Sequence, residues 1–167
     1  MGSENNLKGA LVMSKDDFWD LIAQAKETCG LDEDEYVQWI KEQLIELGPH
    51  YAQDFHDILH AYSELSRKYG LWSAAGMMGQ SSDDKFTDFR SWLIAQGRDV
   101  FFNALKDPDS LADIKPGDGF WFESLIYVGD AALREINGGS AYTGTDRTAY
   151  NELITELKAD IQYGRWH

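Results

Sequence analysis

The sequence predicts an all-α protein, a single-domain helical bundle of about six to eight helices with short connections. Three observations carry that expectation. Apolar residues recur three and four apart along most of the chain. The runs are bounded by Ser, Asp, Gly and Pro signals of the kind that start and stop helices. No stretch alternates β-branched residues between turns as a half-buried strand would. A length of 167 residues suits one domain, and 43% hydrophobic with 13% aromatic content supplies a core that needs neither disulfide nor metal. We take residues 1–12 as a leader or disordered tail, because Met13-Ser14 resembles a second start, and residues 13–167 as the helical domain.

The first helix begins at Ser14, where S-K-D-D forms a capping box with Asp17, and Phe18, Leu21, Ile22 and Ala25 share one face. Gly30 ends it. Asp32 caps the second helix, whose stripe is Tyr36, Ile40, Leu44 and Leu47. Gly48-Pro49 breaks the chain, and proline opens the third helix, striped by Tyr51, Phe55, Ile58, Leu59, Tyr62, Leu65 and Tyr69 up to Gly70. Leu71 to Met78 reads as one or two helical turns. Ser82 or Asp83 caps a helix through Phe86, Phe89 and Leu93, and its continuation past Gly97 toward Leu105 stays open. Phe120 to Ile136 reads as a nearly apolar, central helix, although Phe120–Val128 could instead be a buried strand. A last helix from about Asp146 carries Tyr150, Leu153, Ile154, Leu157 and Ile161.

Charge narrows the functional classes. Lys+Arg 15 against Asp+Glu 29 gives −14, which opposes nucleic acid phosphates and anionic lipid. No apolar run is long enough to span a membrane, and the N-terminus lacks the basic and apolar regions of a signal peptide. The one cysteine, Cys29, cannot bridge internally and, before Gly30 at a helix end, reads as inert. A bacterial cytoplasmic setting fits. The acid is unevenly placed: from Ser14 to Leu47 ten acidic residues face three lysines, an excess of seven and half of the total.

Chemistry-bearing constellations are few. Arg90 falls inside the stripe of Phe86, Phe89, Leu93 and Gly97, so burial would demand a carboxylate or a bound anion. Glu123, Asp130 and Arg134 form a polar stripe with Tyr127 on the following helix. Asp130 and Arg134, four apart, can pair, and Glu123 or Asp130 is the expected partner of Arg90. His56, His60 and Glu64 form an i, i+4, i+8 ladder, but on the face opposite Tyr51, Phe55 and Ile58. Two solvated histidines are expected there, and no metal. No nucleophile elbow, phosphate-binding P-loop or H-E-x-x-H occurs, so no catalytic residue is named and no cofactor is expected. The Gly138–Thr145 segment has a phosphate cradle's small residues without its lysine and preceding strand, and reads as a linker. Trp19 and Trp92 flank their stripes, as residues sealing helix seams do.

The run Phe86-Thr87-Asp88-Phe89-Arg90-Ser91-Trp92-Leu93-Ile94-Ala95-Gln96-Gly97-Arg98, with Asp107-Pro108-Asp109-Ser110-Leu111 after it, carries a resemblance. So do Phe18-Trp19 with Ile22, and Leu71-Trp72 with Ala74-Ala75. Together they resemble an uncharacterised bacterial domain-of-unknown-function family (domain of unknown function 4240 type), marked by F-x-x-F-R-x-W-L-I-x-Q-G-R, over about Met13 to Glu135. The resemblance implies no reaction. It places Arg90, Gln96, Gly97 and Arg98 at the heart of the domain.

The function expected is that of a non-enzymatic acidic binding or regulatory protein, an immunity- or antitoxin-like inhibitor or an adaptor for a basic protein. Its candidate surface includes Asp32, Glu33, Asp34 and Glu35. The alternative is an enzyme or anion-binding domain with its site around Arg90, Arg98, Glu123, Asp130 and Arg134. A purely structural or self-associating module is a third reading.

Overall fold

A computed structural model describes residues 11–80, 82–114, 122–138 and 146–164. These residues form an all-α, single-domain bundle with no strand among them. The helices are α1 (Lys15–Cys29), α2 (Glu33–Leu47), α3 (Pro49–Leu65), α4 (Tyr69–Met77), α5 (Asp83–Ala95), α6 (Arg98–Lys106), α7 (Val128–Ile136) and α8 (Arg147–Lys158). Two 3₁₀ segments, Pro108–Asp113 and Glu123–Tyr127, lie between α6 and α7. Among the described residues no helix is long and apolar enough to cross a membrane.

Local chemistry sets most of the boundaries. The Ser14 hydroxyl accepts from the Asp17 N–H at 3.0 Å, and Asp17 returns the bond to the Ser14 N–H at 3.1 Å, closing the expected capping box. Asp32, Ser82 and Asp146 cap α2, α5 and α8 in the same way through the N–H three residues on. Gly97 resolves the question left open on α5. Its φ of +112° is one that a side-chain-bearing residue rarely adopts, so the chain turns there and α6 starts as a separate helix.

Three boundaries differ from expectation. The third helix stops at Leu65 instead of reaching Tyr69: the Ser66 hydroxyl donates to the Ser63 carbonyl at 2.8 Å and Lys68 is extended, so Tyr69 opens α4. Leu47, assigned to the α2 stripe, is 48% exposed at the helix end. Of the helix expected from Phe120 to Ile136, Phe120 and Trp121 lie outside the described residues, and from Phe122 on no continuous helix forms. Phe122 has φ +32°, a left-handed conformation that costs a non-glycine residue roughly 1 kcal/mol or more. That cost is offset where its ring packs edge-on against Tyr36 at 5.0 Å in full burial. A 3₁₀ turn follows, and the α-helix starts only at Val128.

The core is organised around α3, which touches α1, α2, α5, α7, α8 and the second 3₁₀ segment. An aromatic cluster of Phe18, Trp19, Phe55, Tyr62 and Phe101 joins α1, α3 and α6. Trp19 and Trp92 are both buried in seams, and the Trp19 indole donates to the Tyr62 hydroxyl at 3.0 Å. Asp54 on α3 is buried as well, and accepts the N–H groups of Val12 and Met13 at 2.6 and 2.9 Å. Leu11 and Met13 lie against the same core, so the chain is already fastened just before α1 begins.

Candidate functional site

Arg90 is the first test, because a guanidinium cannot shed its charge cheaply. It is 5% exposed, and its partners are not the expected carboxylates. One terminal nitrogen donates to the Ser63 carbonyl at 3.0 Å and the other to the Thr87 hydroxyl at 3.2 Å. The Phe86 ring lies 4.8 Å beneath the guanidinium carbon. Neither Glu123 nor Asp130 forms an ion pair with it, and its Nε has no hydrogen-bond partner among the described residues. Burial, and then the charge of Arg67, pull its pKa down to about 10, with Asp83 a partial offset. The C-terminal turn of α3 points a carbonyl at α5, and that neutral acceptor takes the place assigned to a carboxylate.

The other members of the proposed anion site do not converge on Arg90. Arg98 is exposed on α6, 4.8 Å from the Phe102 ring and 3.8 Å from the Asp99 carboxylate. Asp130 and Arg134 do make the expected i, i+4 pair at 2.9 Å, at the partly solvated edge of α7. Glu123 is exposed and lies near Asp88.

His56 and His60 depart from expectation more sharply, because they are half-buried rather than solvated. Their rings stack at 4.1 Å beneath α7 and the preceding turn, and the His60 Nε2 meets the Ile126 carbonyl at 3.1 Å. The reason is steric. Gly129 lets α7 come so close that a Cβ placed there would lie 2.7 Å from the His56 Cβ and 2.8 Å from the Ala52 carbonyl. Glu64, the third member of the ladder, accepts from the Tyr150 hydroxyl of α8 at 3.1 Å. Among the described residues no group of three His, Cys, Asp or Glu side chains is arranged to hold a metal ion.

Burial, then the neighbouring His60, depress the His56 pKa to about 4, while Asp130 opposes the shift; burial likewise lowers that of His60. Both rings are therefore neutral at pH 7. A base with a depressed pKa binds fewer protons folded than unfolded, so stability is lost as pH falls from about 6.5 through 4. With the rings part-solvated, the loss expected from this pair is on the order of 1–2 kcal/mol. Urea denaturation at pH 7 and pH 4.5 measures it. His56→Gln should flatten that dependence, and an unchanged profile would remove the histidines as its cause.

The structure also gathers carboxylates that the sequence does not place together. Asp88 on α5 is pushed up to about 6, first by burial and then by Glu123, Asp84 and Glu33. Glu33 in turn accepts from the Ser124 N–H and hydroxyl at 3.0 and 2.6 Å, which fastens the start of α2 to the second 3₁₀ segment. The acidic surface of α2 thereby runs on to α5. The i, i+4 spacing of Asp84 and Asp88 was the one legible signal for this cluster.

On α1 and α2 the charges divide by role. Asp16, Asp20 and Glu27 are exposed on one side of α1, and Asp34, Glu35, Glu42 and Glu46 are exposed on α2. The three lysines of this segment are turned to other elements. Lys15 pairs with Asp160 at 2.6 Å, Lys26 donates to the Gln96 carbonyl at 3.0 Å, and Lys41 pairs with Glu135 at 2.9 Å. Asp32 is a helix cap, and Glu33 is committed to Ser124. The carboxylate field reaches Cys29, whose thiol is raised by burial and then by Glu35, Asp32 and Glu42, so the inert reading of that residue stands.

The phosphate-cradle segment lies outside the described residues except for Gly138, as do Trp121 and Trp166. No curated protein and no solved structure matches the chain. The family described as a protein of unknown function (DUF4240) matches residues 13–135, from the buried Met13 to the Glu135 that pairs with Lys41, and so spans α1 to the last turn of α7. With most of its length matched in this way, the chain belongs to the DUF4240 family.

Proposed function

We propose that this protein is a non-enzymatic binding or regulatory protein, of the inhibitor or adaptor kind, that docks a cationic protein surface through the outer faces of α1 and α2. The observation that carries this reading is the disposition of the lysines. All three in this segment are engaged with Asp160, Gln96 and Glu135 elsewhere in the chain, and among the described residues Asp20, Glu27, Asp34, Glu35, Glu42 and Glu46 form no ion pair. Such a face steers a basic partner and speeds its association, at the cost of sensitivity to salt. Arg90 supports the rival anion site in one respect only, its lack of a carboxylate partner among the described residues. Its near-complete burial against Ser63, Thr87 and Phe86 favours a structural role.

Affinity capture with the purified chain tests the reading. The comparison variant is Asp20→Lys/Glu27→Lys/Glu42→Lys/Glu46→Lys, at exposed positions clear of the helix caps. The wild type is expected to retain a basic protein that elutes with salt, and the variant to lose it. Equal capture by both would reject the proposal. So would a thermal shift with phosphate, nucleotide or carboxylate ligands that Arg90→Met abolishes, since that outcome moves the site to α5.

A further inference from the structure

Away from α1 and α2, the chain has a surface of opposite character. No charged residue occurs between Lys68 and Asp83, the longest uncharged run in the sequence, and this run forms α4. One side of α4 is anchored by buried Leu71 and Ala75, with Trp72 edge-on to Phe86 at 4.9 Å. Leu71 also lines a groove beside this helix. Ala74, Met77 and Met78 form one wall of this groove, about 820 Å³ in volume, and Pro108, Leu111 and Ala112 of the first 3₁₀ segment form the other. Met77, in the α4 wall, is 89% exposed. The rim carries Lys68 and Lys106 together with Asp107 and Asp109.

We propose that a second copy of this chain occupies the groove, forming a two-fold dimer in which each Met77 inserts into the partner's groove. Three features point to a second copy. A two-fold interface must be self-complementary, and this patch carries an exposed methionine on the wall of a hollow that a second copy's methionine can enter. Among the described residues its rim balances two lysines with two aspartates, so the same patch on two copies offers each cation a carboxylate. Finally, a chain of net charge −14 repels its own copies over most of its surface, and α4 is the stretch where two can meet without opposing like charges. Methionine suits such a seam, because its unbranched thioether adapts to an irregular hollow. This seam on α4 and the first 3₁₀ segment shares no element with the acidic face of α1 and α2.

Sedimentation equilibrium across a concentration series tests it on the full chain, comparing wild type with Met77→Glu. The exposed position allows Met77→Glu to fold, and circular dichroism checks that it has. The expected result is a monomer–dimer equilibrium in the wild type and a monomer in Met77→Glu. Lys68→Glu and Asp109→Lys should each weaken the homodimer, and their equimolar mixture should recover it, since both cross-seam pairs are then restored. A wild type that stays monomeric throughout overturns the proposal, whether or not native mass spectrometry finds a ligand in the groove. A dimer that survives Met77→Glu overturns it as well, because the interface then lies elsewhere.

Discussion

Gly129→Val should be the most damaging single substitution on the surface shared by α3 and α7, with Gly129→Ala a milder version of the same effect. A methyl group at this position would sit 2.7 Å from the His56 Cβ and 2.8 Å from the Ala52 carbonyl oxygen. Both distances are inside van der Waals contact, and one neighbour is backbone, which can yield only if a helix moves. Overpacking of this sort costs typically 1–3 kcal/mol. Alanine would recover up to about 1 kcal/mol of helix propensity relative to glycine, so its net effect is smaller. Valine adds further bulk with no such gain. For a chain of this length each kcal/mol lowers the melting temperature by roughly 2–4 °C. Thermal unfolding of both variants should therefore rank wild type above Gly129→Ala and Gly129→Ala above Gly129→Val. An unchanged or raised melting temperature for valine would mean that the helices do not approach this closely.

Arg90 gives the second large effect, and its sign depends on the replacement. In Arg90→Ala the aliphatic stem and the contact with Phe86 are lost together, leaving a cavity beneath α5. The expected loss is about 2–4 kcal/mol, comparable to other large-to-alanine changes in a core. In Arg90→Met the stem is kept and a buried, desolvated charge is removed. The Ser63 carbonyl does not become an orphan, since the Ser66 hydroxyl still donates to it at 2.8 Å. Replacing a buried charge by an apolar group of similar shape is often neutral, so Arg90→Met should remain within about 1 kcal/mol of wild type. Combined with Glu123→Gln it should be additive to within about 0.5 kcal/mol, because the two residues share no contact. Chemical denaturation of the single and double variants measures both. A coupling well above that margin would restore the Arg90–Glu123 pair that the sequence suggests.

The particular residues show why some of this architecture is legible in sequence and some is not. Ser14, Asp32 and Asp146 cap helices through bonds that span three residues, so the local pattern contains the whole interaction. The Asp130–Arg134 pair is readable for the same reason. Arg90 is not, because its acceptor at Ser63 is a backbone carbonyl twenty-seven positions away, and every residue has one. The histidines mislead because a single apolar stripe assigns one buried side to a helix. Helix α3 is enclosed on more than one side, by α1, α2 and α5 as well as by α7 and α8. Its buried polar residues Asp54, Asp57 and Ser63, and the small pair Ala52 and Gly129, were the marks of that enclosure. Phe122 is a further case: a run of apolar residues looks helical, while burial against Tyr36 selects a left-handed turn. The carboxylates around Asp88 come from three elements, and only their fold brings them together.

The charge excess between Ser14 and Leu47 was visible from the start, but its meaning depended on where the three lysines point. Their engagement with Asp160, Gln96 and Glu135 turns a composition into an exposed acidic surface on α1 and α2, distinct from the buried Arg90. The most direct test of that division is the affinity of the captured basic protein, measured against ionic strength for three forms of the chain. Wild type and Arg90→Met should bind alike and weaken together as salt rises, while Asp20→Lys/Glu27→Lys/Glu42→Lys/Glu46→Lys should not bind. Binding that ignores salt, or that is lost in Arg90→Met and kept in the charge-reversed form, would contradict the account.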